Sequence, residues 1–503
     1  MTGDRNPLAR IGQLGSVGAI RPRRDDALAV LALVLVLGVA TAALLFPRVR
    51  SDGLAYYMWT EALIRNRTID LVGPATRYQR FVLYQVSFDP TTQRYTTVFP
   101  FGPALLWAPF YTSGLLFRRV IAFESADALY LEIQGDGYLP TLLVSVGTAL
   151  YSIAAVLLSY FVARGFAAPM PSAAASLLGF FGTPLYYYAA SEPTMAHGAA
   201  TFLVSLVVFL YARFALVCQT ASRSRYEPGH QSTEPKATAC SQPMLRHRLE
   251  AWLVYFLSLR QSRPKLWFTI GFLVGLAGTV RWQLILLAFP LAIAALHRGR
   301  ILDLLLLVGS AGCVFSTVPL TWLYMFGSAS PSALGTVQNW IPQAWDQVLF
   351  SPVHGLFTWS PIAFLGVIGT VGLVANSDVR PLGVGLLLWL VIQALMSGAV
   401  IDPLAGWSFG MRRMTEVYPT FAIGLAWFLE RAGGRSTVLG VVAYLVAVSL
   451  ALFSVALLLS YVAGIIHPGS GSVVEAMAQW LPPNTVSSLD AIRKLQFFKF
   501  GLP

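Results

Sequence analysis

The sequence predicts an all-α polytopic membrane protein. Of its 503 residues, 56% are hydrophobic and only 12% are charged, whereas a soluble domain needs far more charge to cover its surface. The apolar runs are long and rich in Leu, Val and Ala, which favours membrane helices over the short alternating segments of a β-barrel. The net charge of +12 does not indicate nucleic-acid binding, because the basic residues collect in loops between apolar runs, as membrane orientation requires.

The first apolar run, Asp26–Pro47, is predicted to be the first membrane helix. It follows five arginines, and basic residues mark the cytoplasmic side, so the N-terminus is expected there. The run has no small-residue cleavage pattern, which indicates a retained helix and not a removable signal. Asp52 then lies on the outer side, in a first outer loop over residues 48–138 that is expected to carry interfacial helices.

One apolar stretch of this loop, FPFGPALLWAPFYTSGLLF, differs from the other apolar runs. It contains three prolines and two glycines and ends at Arg118 and Arg119. Prolines and glycines interrupt helices, and the later basic residues fall on the expected side only if this stretch does not cross the membrane. We therefore predict a broken interfacial hairpin here.

The rest of the chain alternates between apolar segments and polar loops. This pattern predicts about eleven transmembrane helices and an extracytoplasmic C-terminus, in a single transmembrane domain over residues 1–503. Residues 211–265 are expected to form a basic cytoplasmic loop and residues 467–503 an extracytoplasmic tail. The segments after the first helix are Leu139–Val162, Ala168–Tyr187, Ala199–Leu216, 267–280, 282–296, Ile301–Phe326, Trp359–Val374, Pro381–Val400, Val417–Leu429 and Thr437–Ile466.

Polar residues in or beside membrane helices are energetically expensive and therefore informative. Most have an ordinary structural explanation; Asp52, for instance, can cap the helix that follows it as well as accept a proton. Tyr56 and Tyr57 can belong to an interfacial aromatic belt. Arg412 and Arg413 are harder to explain, because outer arginines run against the positive-inside tendency. With this topology the candidates collect on the outer side: Asp52, Tyr56, Tyr57, Glu192, His197, Arg281, His354, Asp402, Arg412, Arg413 and Glu416.

The combination of a carboxylate with several arginines suits the transfer of a sugar from a polyprenyl phosphate. The leaving group is then a phosphate, which Arg281 and Arg412 or Arg413 can neutralise with forked hydrogen bonds. Asp52 can take the proton of the acceptor hydroxyl as it attacks the anomeric carbon. One carboxylate suffices for an inverting displacement, unlike the paired acids of glycoside hydrolysis. We therefore predict a hexosyl- or pentosyltransferase with Asp52 as general base and the other candidates, except Asp402, as substrate-binding residues.

An acidic residue directly after the first span, followed by an amphipathic helix, begins an ordered series through most of the chain: SDGLAYYMWTEALI, FPFGPALLWAPF, GTPLYYYAASEPTMAH, GLAGTVRWQ, SPVHGLFTWSP and GWSFGMRRMTEVYP. This series resembles the GT-C superfamily of integral-membrane glycosyltransferases, in particular a bacterial branch of the protein O-mannosyltransferase type (glycosyltransferase family 39). The resemblance implies that Asp52 is the catalytic base and that the donor is a polyprenyl-phosphate sugar. It also implies an extracytoplasmic active site in a bacterial plasma (inner) membrane.

The resemblance has departures that bear on metals. Many relatives carry two adjacent acids at this point, whereas Asp52 is followed here by Gly53. Metal-dependent relatives use further carboxylates in the first outer loop; Asp70 and Asp89 lie there without recognisable ligand spacing. We predict no cofactor; a divalent metal stays open as an alternative that the ligand spacing does not support. The expected partners are a polyprenyl-phosphate-linked sugar, the lipid bilayer and a glycan, lipid or protein acceptor, but no nucleic acid.

Two other classes of function remain open. A transporter or flippase of a lipid-linked saccharide would need polar residues accessible from both faces, and this sequence concentrates them on one. A structural or accessory membrane subunit would leave the clustering of Asp52, Arg281 and Arg412 unexplained.

Overall fold

The computed structural model describes residues 24–50, 52–78, 86–121, 137–223, 263–297, 299–329, 341–406, 408–467, 469 and 471–480. Helices dominate this part of the chain. In chain order they are α1 Arg24–Leu44, α2 Gly53–Thr60 with a π turn Glu61–Arg65, α3 Val72–Arg77, α4 Gly102–Ile121, α5 Tyr138–Ala163, α6 Pro169–Phe181, α7 Leu185–Ala190, α8 His197–Arg223, α9 Arg263–Val280, a 3₁₀ helix Trp282–Leu287, α10 Ala288–His297, α11 Ile301–Phe315, α12 Thr317–Phe326, α13 Trp345–Phe350, α14 Leu356–Trp359, α15 Ile362–Ala375, α16 Arg380–Gly398, a 3₁₀ helix Arg412–Val417, α17 Tyr418–Arg435, α18 Thr437–Val462 and α19 Val473–Trp480.

The predicted all-α polytopic architecture is confirmed. Five helical segments are long and apolar enough to cross a membrane, namely α1, α5, α11 with α12, α16 and α18. Shorter apolar helices lie in α8, α9, the 3₁₀ helix with α10, and α15. Together with α6 and α17, these correspond one to one to the predicted spans within the described residues.

The two ends of the helix bundle differ in chemistry. At one end, Asp26 at the start of α1 accepts a hydrogen bond from Tyr160 at 3.0 Å and pairs with Arg164 Nε at 2.6 Å. The Glu430 carboxylate of α17 accepts the backbone N–H of Ala168 at 2.9 Å, just before α6. We call this the Asp26 end. Asp52 follows the opposite end of α1, where the other residues of the candidate site also lie.

The prediction of a broken hairpin at residues 99–117 is wrong, because α4 is one continuous helix of 20 residues. Two of the three prolines precede its second turn, where proline is tolerated, and only Pro109 lies inside it. The helix packs antiparallel to the first half of α5: Trp107 Nε1 donates to Thr148 at 3.0 Å, and Gly114 lies against Pro140. It therefore does not reach the Asp26 end.

Other boundaries also differ from the prediction. The predicted span Ala168–Tyr187 ends at Phe181, because Gly182 and Pro184 interrupt the helix before α7. The first outer loop contains α2, α3 and α4 and an unpredicted antiparallel hairpin of β1 Ser87–Asp89 and β2 Arg94–Thr96.

The predicted basic loop 211–265 and the predicted C-terminal tail 467–503 are only partly described. Helices α8 and α9 shorten the predicted loop 211–265 to residues 224–262, which lie outside the described residues. In the predicted tail 467–503, α19 is described and residues 481–503 lie outside the described part.

Candidate functional site

A cavity of about 240 Å³ brings together five of the predicted site residues: Asp52, Tyr56, Arg281, Arg412 and Arg413. They come from three distant parts of the chain, namely the start of α2, the break after α9 and the 3₁₀ helix before α17. We call it the Asp52 cavity. Its remaining lining residues are Val98, Phe99, Pro100, Trp282, Gln283, Met396, Ser397 and Val400.

Asp52 immediately precedes α2, yet its side chain makes no capping hydrogen bond to that helix. The carboxylate is instead paired with Arg412, whose Nη1 lies 3.0 Å from Asp52 Oδ2. The sequence left two roles open for this side chain, helix capping and proton acceptance. The side chain does not cap the helix and forms the ion pair with Arg412. The ion pair holds the carboxylate beside a guanidinium inside the cavity.

Gly53 explains why a single acid stands at this position. A Cβ atom built on Gly53 would lie 2.6 Å from Thr194 Oγ1 and 3.0 Å from the Thr194 carbonyl oxygen. Thr194 is fixed in turn, since its hydroxyl donates to the Arg48 carbonyl at 3.0 Å. A second acid directly after Asp52 would therefore displace this loop.

Arg281 lies where the chain passes from α9 to the 3₁₀ helix Trp282–Leu287, with extended backbone. Its Nε is 3.3 Å from Glu416 Oε1, and its Nη1 is 3.2–3.3 Å from the two ring nitrogens of His197. His197 Nδ1 is in turn 2.9 Å from Glu416 Oε1. Gln283 adds an oxygen 2.9 Å from Arg281 Nη2 when its carboxamide oxygen faces the guanidinium.

Arg412 and Arg413 begin the 3₁₀ helix that leads into α17. The loop before it turns sharply at Gly410, whose φ of +57° favours glycine. Arg413 Nη1 donates to the backbone carbonyl of Asp402. Burial, followed by the neighbouring Arg412 charge, lowers the pKa of Arg413 to about 9, so its guanidinium is still cationic at neutral pH.

The remaining predicted site residues are not all in the cavity. Tyr56 lines it, whereas Tyr57 packs on Tyr111 at 5.8 Å between ring centroids. His354 lies in the loop between α13 and α14, against the Trp359 ring at 5.2 Å between centroids. The structure therefore separates Tyr57 and His354 from the Asp52 cavity and places His197 and Glu416 behind Arg281.

Glu192 lies between α7 and α8, close to the cavity residues. Burial raises the pKa of its carboxyl to about 7, although the Arg412 and Arg50 charges and a hydrogen bond from Tyr187 lower it and Asp52 raises it. Glu192 therefore exchanges a proton near neutral pH, beside the arginine that pairs with Asp52.

Several cavity residues were not predicted. Phe99, Trp282 and Gln283 line the cavity, and they were within the quoted motifs FPFGPALLWAPF and GLAGTVRWQ. The sequence could have indicated them, because Phe99 adjoins Pro100 and Trp282 and Gln283 follow Arg281. Residues next to an interruption of a helix at a site share the surroundings of that site.

Comparison with known proteins supports the fold. No protein-family model matches this sequence, and no curated protein matches it. Among solved structures, the chain is similar to an Archaeoglobus fulgidus oligosaccharyltransferase tethered with an acceptor peptide, with a TM-score of 0.50 and 13% identity over 92% of this chain and 58% of that one. It is also similar to ArnT from Cupriavidus metallidurans bound to undecaprenyl phosphate, with a TM-score of 0.44 and 15% identity over 94% of this chain and 75% of that one.

This chain spans 58% of the oligosaccharyltransferase chain, and at 13% identity the likeness establishes a shared architecture and not a shared reaction. The order of helices agrees with the expectation from the sequence. The chain therefore shares its helical membrane fold with this oligosaccharyltransferase.

Proposed function

We propose that this protein is a membrane glycosyltransferase that moves a sugar from a polyprenyl-phosphate donor to an extracytoplasmic acceptor. The observation that carries the proposal is the Asp52 cavity, in which a carboxylate and three guanidinium groups share one space of about 240 Å³. The arginines match a phosphate leaving group, and the carboxylate matches a proton acceptor. The cavity follows α1, so under the proposed orientation it faces the outside of a bacterial plasma membrane.

The proposed reaction is an inverting displacement at the anomeric carbon. The acceptor hydroxyl attacks this carbon, the bond between the carbon and the phosphate oxygen breaks, and the hydroxyl proton goes to Asp52. Polyprenyl phosphate leaves with the bonding electron pair, and Arg281, Arg412 and Arg413 stabilise the charge that develops on it. The proposal needs no metal, and the independence of a metal stays a prediction.

Arg412 links the two halves of this reaction, because it contacts Asp52 at 3.0 Å and lines the same cavity as the other arginines. A donor phosphate would share Arg412 with Asp52. Donor binding and the proposed base are thus coupled through one guanidinium group.

The purified protein should bind undecaprenyl phosphate and should bind undecaprenol, which lacks the phosphate, much more weakly. Dissociation constants in detergent, measured for both lipids, test this. Equal affinity for the two lipids would contradict phosphate recognition by the arginines. A mass-spectrometric comparison of glycolipids and glycoproteins between a wild-type and a deletion strain then identifies the acceptor class, and unchanged glycan profiles would contradict the transferase.

The transporter alternative makes a different prediction for accessibility. If the protein is a transferase, single cysteines near Glu192 and Arg281 should react with membrane-impermeant reagents from the outer side and not from the cytoplasmic side. Labelling from both sides would favour transport of a lipid-linked saccharide.

We expect the affinity of the wild-type protein for undecaprenyl phosphate to fall relative to that of Glu192→Gln as pH rises through about 7, because Glu192 then becomes an anion beside Arg412 and opposes a bound phosphate. Glu192→Gln should bind like wild type at pH 5.5 and more tightly above pH 7.5. The phosphate also gains charge over this range, with a second pKa of about 6, but that change is common to both proteins. Titrations of both proteins from pH 5.5 to 8.5 check this, and a ratio of affinities that is constant with pH would contradict a role for Glu192.

A further inference from the structure

Arg281 is held by two side chains that the substrate cannot reach. The side chains of His197 and Glu416 are 1% and 0% exposed, whereas the Arg281 side chain is 13% exposed and lines the cavity. Neither His197 nor Glu416 is among the residues that line the Asp52 cavity. A direct contact between these two side chains and a donor sugar or phosphate is therefore not available in this arrangement.

Glu416 fixes the orientation of the guanidinium. Its Oε1 atom lies 3.3 Å from Arg281 Nε and 2.9 Å from His197 Nδ1. Because Nε is the N–H nearest the side-chain stem, its pairing with Glu416 fixes the direction of the guanidinium fork. One terminal nitrogen then faces His197, and the other faces Gln283, which lines the cavity. Glu416 itself is secured from another helix, since Trp389 Nε1 of α16 donates to its backbone carbonyl at 3.4 Å.

His197 supports the guanidinium through its ring. Arg281 Nη1 is almost equally far from Nδ1 (3.3 Å) and Nε2 (3.2 Å), which places it over the ring and not in the ring plane. The imidazole also meets the Tyr188 ring, with 4.4 Å between centroids. The tautomer that carries its proton on Nδ1 donates to Glu416 and presents an uncharged ring to the cation, whereas an imidazolium would repel Arg281.

We propose that Glu416 and His197 are positioning residues that orient Arg281 for the donor phosphate and do not touch the substrate themselves. This inference rests on the proposed function, because it takes Arg281 to bind that phosphate. It differs from the expectation drawn from the sequence, in which both residues bind substrate. A guanidinium that is already oriented loses less conformational freedom on binding, so its supporting side chains contribute to affinity from a distance.

The test is the dissociation constant for undecaprenyl phosphate in detergent. Glu416→Gln and His197→Gln should weaken binding by about 10- to 100-fold, the range found for residues that orient a ligand-binding side chain at metal sites. His197→Asn should retain most of the affinity, because its amide nitrogen takes the place of Nδ1 and can donate to Glu416, whereas the longer glutamine places its amide nitrogen elsewhere.

Asp26→Asn is the matched control, because it neutralises another buried carboxylate that pairs with an arginine, at the opposite end of the bundle. We expect it to lower the melting temperature and to leave affinity unchanged. The positioning role is overturned if Glu416→Gln and His197→Gln bind as tightly as wild type, if His197→Asn is as weak as His197→Gln, or if Asp26→Asn weakens binding equally. Failure of the wild-type protein to bind the probe would contradict the proposed function instead.

Discussion

Asp52→Asn should lower sugar transfer by about 10²- to 10⁴-fold, the contribution typical of a general base, while the protein still folds. Asparagine has nearly the same shape but cannot accept the acceptor proton. The same substitution releases Arg412 from its ion pair at 3.0 Å, so affinity for undecaprenyl phosphate should be equal to or greater than that of wild type. Transfer is measured by how far each variant restores the glycan profile of a deletion strain. Binding is measured as the dissociation constant of the purified protein for undecaprenyl phosphate.

Asp70→Asn is a matched control for this prediction. Asp70 lies in the same first outer loop, where its carboxylate accepts the Val72 backbone N–H at 2.9 Å on the surface. This variant should transfer sugar as wild type does. If Asp52→Asn restores the glycan profile as fully as Asp70→Asn, Asp52 is not the base.

Arg281→Met should weaken binding of undecaprenyl phosphate by roughly 10- to 150-fold, which corresponds to the loss of about 1.5–3 kcal/mol for a hydrogen bond to a charged group. It should also destabilise the protein by about 3–5 kcal/mol, because Glu416 keeps its charge and loses its guanidinium partner. The double variant Arg281→Met with Glu416→Gln removes both charges and should regain much of that stability. Its affinity should stay as low as that of Arg281→Met.

This pair of variants separates folding from recognition. Melting temperature and dissociation constant are measured on the same preparations. Arg94→Met is the control, because it removes another arginine, from the first outer loop. Arg94 packs over the Tyr324 ring and donates to its carbonyl, away from the Asp52 cavity. Recovery of both stability and affinity in the double variant would mean that Arg281 is structural and does not bind phosphate.

The sequence predicts the membrane helices well because each is set by local apolar composition. It fails at α4 for a reason that is equally local: three prolines suggested interruption, but Pro100 and Pro103 precede or begin the helix, and only Pro109 is interior. The packing of α4 on α5, through Gly114 against Pro140, then stabilises a helix that its composition alone does not favour. The β1–β2 hairpin, with three residues in each strand, is too short to give a clear alternation.

The sequence predicted which residues belong to the candidate site, but not which of their side chains face the same cavity. Charge and side of the membrane selected Asp52, Arg281, Arg412 and Arg413, and the structure brings them to one cavity. The same criterion selected His354, which instead packs on Trp359. Charge and side do not distinguish a side chain that faces a cavity from one that is enclosed by neighbouring helices, because that difference depends on contacts between segments far apart in sequence.

The first helix, α1, carries a further consequence for the reaction. Only 17% of the apolar part of α1 is buried in the protein. Most of the helix, which is about 30 Å long, is therefore left for contact with acyl chains. It is tied through Asp26 to Arg164 at one end and through Phe46 N–H to the Ala190 carbonyl at the other. Asp52 follows α1 after a short connecting segment. Bilayer thickness acts on exposed helices through hydrophobic mismatch, so under the proposed function it influences the depth at which Asp52 meets its substrate.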